Sequence, residues 1–291
     1  MNKNNRMTKI VLTAMFSALC CAATFIQIRM PSGDFVHLGN FVMIIAALLL
    51  GGLIGGISGS LGMGIYDLIY YSSKPSTIIR TFILKFIVGF LVGYIFRLII
   101  KKELNSKKIL YILSILFFVV FATSLTLFIC GDFSSYSFDN GLSSIFIIGS
   151  AKLKISLYIP IFAFLFFVGS LISALLSKKL SKRSMAALVA VLIAIFTNIL
   201  GEFFIRFLLE GIMLDGFNKS LITATSKIPG SIITGFISVL LTILIYEPIY
   251  RAIKNTSLVE NLDDDNDDLD TKEDNIITEE EINEINDENN K

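Results

Sequence analysis

The sequence predicts an all-α polytopic membrane protein, and three observations support this fold class. Of the 291 residues, 54% are hydrophobic, and the mean hydropathy of the chain is +0.74. Several apolar runs are long enough for a helix to cross the ~30 Å hydrocarbon core of a bilayer. Basic residues are clustered between these runs, as they are in the loops that determine membrane topology. Soluble domains rarely combine these features.

The net charge of +1 conceals two regions of opposite sign. Residues 256–291 contain fifteen of the 24 acidic residues and two of the 25 basic residues. Residues 1–255 therefore carry 23 basic and nine acidic residues. The acidic segment has too much like charge and too few apolar residues to fold alone. We therefore predict a transmembrane domain at 1–255 and a disordered cytoplasmic tail at 256–291.

The first span is predicted at residues 10–28. The short segment before it is basic, which places the N-terminus in the cytoplasm. Ala14, Ala18 and Ala22 recur every four residues in this span and form a stripe of small side chains on one helix face. A short outer loop is predicted at residues 29–39.

The next region is rich in glycine and allows two topologies. It contains either one span at 41–63 or two short spans that bend at Gly51 and Gly52. The following span, at 77–100, ends in a cluster of lysines. A single span would place that cluster outside the cell, whereas a hairpin places it inside, as the positive-inside rule favours. The sequence therefore predicts the hairpin.

The rest of the chain alternates between apolar runs and polar loops. Basic clusters at the ends of the returning spans again favour the cytoplasm. Eight crossings result, with both termini cytoplasmic. The remaining spans are predicted at 109–130, 155–176, 185–209 and 228–250, with outer loops at 131–154 and 210–227.

Polar residues within the spans are the candidate functional residues. Asn198, Glu202 and Arg206 follow one another at intervals of four, so they share one helix face. A charged residue near the middle of a span costs on the order of 2–3 kcal/mol on insertion scales, so it needs a partner or a wet cavity. Either Glu202 and Arg206 form an ion pair within the helix, or the three residues line a substrate pocket.

A second set of polar residues lies near the outer end of the hairpin, and it comprises Tyr66, Asp67, Tyr70, Tyr71, Arg80 and Lys85. Asp67 and Lys85 either form a buried ion pair or bind a polar ligand separately, and the pair is slightly favoured. The three tyrosines, Tyr66, Tyr70 and Tyr71, either stack on a ligand ring or lie at the membrane interface.

The sequence gives little support to an enzyme or a metal site. His37 is the single histidine and has no neighbouring metal-ligand set. The three cysteines form no metal or redox motif, and the glycines form no phosphate-binding loop. We therefore predict no catalytic residue, no metal and no cofactor.

Three motifs in fixed order resemble a known family. They are F-V-H-L-G-N-F-V-M-I-I-A-A-L-L-L-G-G, then a glycine-rich run to Y-D-L-I-Y, then P-S-T-I-I-R. These segments resemble the S-components of energy-coupling factor (ECF) vitamin transporters, particularly the riboflavin-type branch. The similarity covers residues 8–97 and resumes at 197–209 and 228–250, where I-P-G-S-I-I-T-G-F resembles the last span of the family.

This resemblance implies a six-helix bundle that binds a water-soluble vitamin or vitamin precursor in a bacterial cell membrane. Such a subunit works with a transmembrane T-component and two cytoplasmic ATPases. Residues 102–180 depart from the family pattern, and we interpret them as an inserted transmembrane hairpin, which gives about eight spans. The alternative is a stand-alone secondary transporter, but the internal repeat that it would require is not apparent.

The resemblance also implies roles for individual residues. The stripe of Ala14, Ala18 and Ala22 would dock the T-component. The loop at 29–39 would gate the substrate cavity, with Asp34, His37 and Asn40 as the gating residues.

Overall fold

The structure, a computed structural model, describes residues 3–29, 35–130, 143–148, 151–178, 180–212 and 217–253. Helices form most of this part of the chain, so the predicted all-α class is confirmed. The elements in chain order are α1 (Lys3–Phe25), β1 (Gln27–Arg29), β2 (Phe35–His37), α2 (Gly39–Leu50), α3 (Gly52–Tyr70), α4 (Pro75–Lys101), α5 (Ser106–Cys130), β3 (Ser143–Ile148), β4 (Ala151–Ser156), α6 (Tyr158–Leu175), α7 (Lys182–Glu210) and α8 (Phe217–Ile253). The predicted acidic tail at 256–291 lies outside the described residues.

Six of the described helices are long and apolar enough to cross a membrane, which confirms the polytopic class. They are α1, α3, α4, α5, α7 and α8. The two others, α2 and α6, are apolar but shorter. Helix α2 has 12 residues and is therefore ~18 Å long, less than the thickness of the hydrocarbon core.

The predicted bend in the glycine-rich region is confirmed at Gly51, which separates α2 from α3. Gly51 has a φ of 102°, a backbone conformation that other residues rarely adopt. The Arg97 side chain fills the space that a Cβ atom would need, and its Nη2 donates a hydrogen bond to the Leu50 carbonyl at 3.3 Å. The two helices run antiparallel, since Gly55 packs on Ala47 and Gly59 packs on Met43.

Small residues also set the distance between α3 and α4. A Cβ atom on Gly89 would lie 2.8 Å from the Gly55 carbonyl carbon, so these two backbones are in direct contact. Ser60 on α3 donates a hydrogen bond to the Phe82 carbonyl on α4 at 2.8 Å. This close approach of α3 and α4 is typical of helices that associate within a membrane.

Helices α5 and α6 pack on each other and then on α7 and α8. The hydroxyls of Ser114 and Ser170 are 2.9 Å apart across the α5–α6 contact. The ring centroid of Phe117 on α5 lies 5.3 Å from that of Phe166 on α6 and 6.0 Å from that of Phe196 on α7. Helices α5 and α6 occupy most of the predicted insertion at 102–180. That the segment is an insertion remains a prediction.

Several predicted boundaries were wrong. Helix α1 begins at Lys3, seven residues before the predicted start at residue 10. Helix α1 ends at Phe25, three residues before the predicted end, because the chain turns there into β1. Part of the predicted loop at 131–154 forms the antiparallel strands β3 and β4. Helix α8 begins at Phe217, within the predicted loop at 210–227. Its first turns are polar, so a search for apolar runs misses them.

The contacts between helix ends define two ends of the bundle. Lys182 Nζ, at the start of α7, lies 3.7 Å from Glu103 Oε1, between α4 and α5. Ser184 of α7 donates a hydrogen bond to Glu247 Oε2 near the end of α8 at 2.7 Å. We call this side of the bundle the basic end, because the lysine clusters flank these helix ends. The opposite side, which holds the antiparallel strands β1 and β2 and the α3–α4 connection, is the cavity end.

Candidate functional site

A cavity of about 710 Å³ opens at the cavity end of the bundle. Its walls come from β2, from the connection between α3 and α4, and from helices α2, α3, α4, α7 and α8. Charged and hydroxyl side chains face this space from several helices. The cavity therefore combines membrane-spanning walls with a polar interior.

Glu202 on α7 is the centre of a cluster of charged side chains in the cavity wall. Its Oε2 lies 3.1 Å from Arg80 Nε, and its Oε1 lies 3.5 Å from Lys85 Nζ, both on α4. Arg206, one turn further along α7, places Nη2 3.8 Å from Glu202 Oε2. The four side chains are between 6% and 14% exposed. One buried carboxylate is thus shared by three cations.

Asn198 joins this cluster through Lys85. Lys85 Nζ donates a hydrogen bond to Asn198 Oδ1 at 2.8 Å, and both side chains are buried. The predicted stripe of Asn198, Glu202 and Arg206 therefore lies along one wall of the cavity. The alternative ion pair between Glu202 and Arg206 is also present, but it is one part of a larger cluster.

The favoured ion pair between Asp67 and Lys85 is not formed, so that prediction was wrong. Asp67 Oδ2 instead accepts a hydrogen bond from the Thr81 hydroxyl, and Lys85 pairs with Glu202. The reason is the register of the antiparallel helices α3 and α4, which places Asp67 beside Thr81, one turn before Lys85. Asp67 still lines the cavity and is buried.

Tyr70 does not line the cavity and is 56% exposed. It stacks on Tyr66, with ring centroids 4.7 Å apart, and meets Phe25 edge-on at 5.6 Å. The next residue, Tyr71, does line the cavity, and its ring stacks on Phe35 of β2 at 6.2 Å. Because α3 ends at Tyr70, the following residue turns toward the cavity.

Two of the three predicted gating residues lie on the cavity wall. His37 ends β2, and its Nδ1 accepts a hydrogen bond from the Gly39 amide at 3.2 Å. Loss of hydration and then the positive charge of Lys85 lower the pKa of His37 to about 3, so the imidazole is neutral at pH 7. Asn40 is buried in the first turn of α2, and its Oδ1 has no hydrogen-bond partner among the described residues. Asp34 lies outside the described residues.

Several lining residues were not proposed from the sequence. Arg80 was named with the polar residues of the hairpin but was given no contact with a ligand, although it is the closest cation to Glu202. Thr223 and Lys227 on α8 also face the cavity, followed by Ser231 and Thr234. The spacing of four between Thr223, Lys227 and Ser231 is the same signal that identified the stripe on α7. It was missed because the last span was predicted to begin at residue 228, after Thr223 and Lys227.

The alanine stripe lies on a different surface, away from the cavity. Ala14, Ala18 and Ala22 are exposed and line an apolar groove of about 980 Å³ between α1 and α3. Among the described residues, no group of three or more histidine, cysteine, aspartate or glutamate side chains is arranged to hold a metal ion.

Comparison with known proteins gives one match. The sequence model of the family described as "ECF-type riboflavin transporter, S component" matches residues 4–151, slightly more than half of the chain. No curated protein and no solved structure matches the chain. The predicted resemblance is thereby confirmed. The matched family comprises transporter subunits rather than enzymes, and the helices agree with a multi-pass membrane location. The chain therefore belongs to the family of S-components, the substrate-binding membrane subunits of ECF-type transporters.

Proposed function

We propose that the protein captures a water-soluble vitamin or vitamin precursor outside a bacterial cell and delivers it inward with a T-component and two cytoplasmic ATPases. The observation that carries this proposal is a charged cavity within the helices of an S-component. Its volume of about 710 Å³ lies within the ~300–1,000 Å³ that is usual for small-molecule sites.

The distribution of basic residues supports an outward-facing cavity. Lys101, Lys102, Lys107, Lys108, Lys182 and Arg183 flank the basic end. By the positive-inside rule this end faces the cytoplasm, so the cavity end faces outward. The same rule places both termini in the cytoplasm.

The buried polar groups are suited to fixing the orientation of a ligand. Charges at membrane depth are costly and usually serve a function. We assign polar ligand contacts to five residues on three helices, and these are Asp67, Lys85, Asn198, Glu202 and Arg206. We assign the aromatic contact to Tyr71 rather than Tyr70, because Tyr71 faces the cavity.

The segment between α1 and α2 is suited to gating the cavity. The strands β1 and β2 pair antiparallel, and His37 and Asn40 at their α2 side are part of the wall. We propose that this segment, including Asp34, covers the ligand after it binds. The neutral imidazole of His37 suits this position, because a second buried cation next to Lys85 would be repelled.

The alanine stripe is suited to docking the T-component. Small residues let helices approach closely in a membrane, where packing drives their association. The groove beside Ala14, Ala18 and Ala22 has walls of aliphatic residues from α3, including Leu53, Ile57 and Leu61, and could accept a helix. The sequence contains no phosphate-binding loop, so we assign ATP hydrolysis in the proposed transporter to the separate ATPase subunits.

Reconstituted transport tests the proposed function. The chain is placed in vesicles with or without a T-component and the ATPases, and uptake of labelled water-soluble vitamins is measured, beginning with riboflavin because the family description names it. We expect accumulation that requires both ATP and the partner subunits. Accumulation by the chain alone would contradict the proposal and indicate a stand-alone transporter.

A further inference from the structure

The basic end of the bundle holds more positive than negative side chains. Its described part includes six basic side chains and two carboxylates. Glu103 Oε1 lies 3.7 Å from Lys182 Nζ. Glu247 Oε1 accepts a hydrogen bond from Arg251 Nε at 3.1 Å. The six basic residues are Lys102, Lys107, Lys108, Lys182, Arg183 and Arg251.

Three lysines form an exposed cluster at the turn between α4 and α5. Lys102, Lys107 and Lys108 are all exposed, and none has a carboxylate within 4 Å among the described residues. We call these three residues the lysine turn. An exposed cluster of like charges attracts a segment of opposite charge.

Helix α8 ends close to the lysine turn. Ser184, near the start of α7, donates a hydrogen bond to Glu247, near the end of α8, at 2.7 Å. Lys182, two residues before Ser184, lies 3.7 Å from Glu103, which follows the last turn of α4. The start of α7 therefore lies between the end of α8 and the lysine turn. The axes of packed helices are ~8–10 Å apart, so the end of α8 and the lysine turn are separated by about two such distances, ~16–20 Å.

The residues that follow α8 in the sequence are strongly acidic. Residues 256–291 contain fifteen acidic residues and two lysines, and five aspartates fall within 263–268, which we call the acidic block. The acidic block begins ten residues after Ile253, the last residue of α8. In a segment predicted to be disordered, ten to fifteen residues span ~16–23 Å. The acidic block can therefore reach the lysine turn from the end of α8.

We propose that the acidic block binds the lysine turn of the same chain and holds the C-terminal segment across the start of α7. The short tether gives the acidic block a high effective concentration at this surface. Binding also relieves the repulsion among the five clustered aspartates. The inference is independent of the proposed function, because α8 ends at the basic end whichever solute the protein binds.

Carbodiimide cross-linking of the full chain tests the inference. The reagent joins a carboxylate to a lysine amine where the two groups are in contact, and mass spectrometry identifies the joined residues. The chain is placed, one copy per disc, in nanodiscs of phosphatidylcholine and phosphatidylglycerol. We expect cross-links from the acidic block to the lysine turn, and few to Lys74, which is exposed at the cavity end. Raising the salt concentration to 1 M, where the Debye length is ~3 Å, should remove most of them.

A double variant shows whether the three lysines act together. At a low extent of reaction, Lys107→Gln combined with Lys108→Gln should reduce the cross-links at the unchanged Lys102 by ~2-fold or more, because each exposed ion pair contributes modestly to binding of the acidic block. Lys74→Gln is the matched control, because it removes an exposed lysine from the opposite end of the bundle. It should leave the cross-links at Lys102 unchanged.

Four results would overturn the inference. Cross-links could be as frequent at Lys74 as at the lysine turn, or they could persist unchanged in 1 M salt. The double variant could leave the cross-links at Lys102 unreduced. Cross-links could also be absent, which would favour the anionic lipid headgroups as the groups that contact the lysine turn. Each of these results leaves the proposed function in place.

Discussion

Glu202→Gln removes the charge on which the buried cluster depends while keeping the shape of the side chain. In the wild-type protein Glu202 faces Arg80, Lys85 and Arg206 at 3.1, 3.5 and 3.8 Å, and each of these side chains is at most 14% exposed. The amide leaves three neighbouring cations without their shared counterion. Removing one partner of a buried ion pair costs ~3–5 kcal/mol. We therefore expect the ligand-free variant to lose about this much stability.

Thermal unfolding in detergent measures this loss. At ~2 °C per kcal/mol, the expected decrease in melting temperature is roughly 6–10 °C. Glu103→Gln is the matched control, because Glu103 pairs with Lys182 at 3.7 Å but both side chains are more than 80% exposed. Exposed pairs contribute little, so this variant should melt like the wild type. If Glu202→Gln also melts like the wild type, the cluster does not depend on its carboxylate and the reasoning is refuted.

Three further predictions concern other parts of the fold. Ala18→Trp should abolish uptake by the assembled transporter and leave ligand binding by the isolated chain intact, because the indole fills the groove beside α1. Gly51→Ala should lower the free energy of unfolding by ~1–3 kcal/mol, since Gly51 has a φ of 102° and its Cβ position is occupied by Arg97. Protonation of His37 should lower the free energy of unfolding as the pH falls. Its pKa is about 3 in the folded protein against ~6.5 when unfolded, so its contribution is complete above pH ~6.5 and declines as the pH falls toward 3.

Each of these predictions has a control and a contradicting result. Ile115→Trp introduces the same bulk on the exposed face of α5 and should not affect uptake, whereas normal uptake by Ala18→Trp would exclude the docking assignment. Gly169→Ala, at a position with no atom near its Cβ, should not destabilise the protein, and equal melting of both glycine variants would contradict the strain argument. His37→Gln should flatten the decline in melting temperature between pH 6.5 and 4. An unchanged decline would show that other groups cause it.

The sequence was sufficient to predict features that depend on a single helix or on flanking charge. The bend at Gly51 followed from the lysine cluster after α4, because only a hairpin placed that cluster on the cytoplasmic side. The stripe of Asn198, Glu202 and Arg206 followed from helical spacing alone. Both features are present in the structure.

Contacts between helices were harder to predict. Asp67 bonds Thr81 rather than Lys85, because the packing of glycines between α3 and α4 sets their register, and no local pattern specifies it. Tyr71 rather than Tyr70 faces the cavity because of where α3 ends. Lys227 was missed because hydropathy alone does not detect a helix whose polar face borders a cavity.

The most direct test of the central claim is mass spectrometry of small molecules that co-purify with the protein alone in detergent. The proposed function predicts one vitamin or vitamin precursor, retained at close to one molecule per chain and lost in Arg206→Gln. A protein that retains no small molecule, and that accumulates solute in vesicles without any ATPase, would contradict the account and identify a stand-alone transporter.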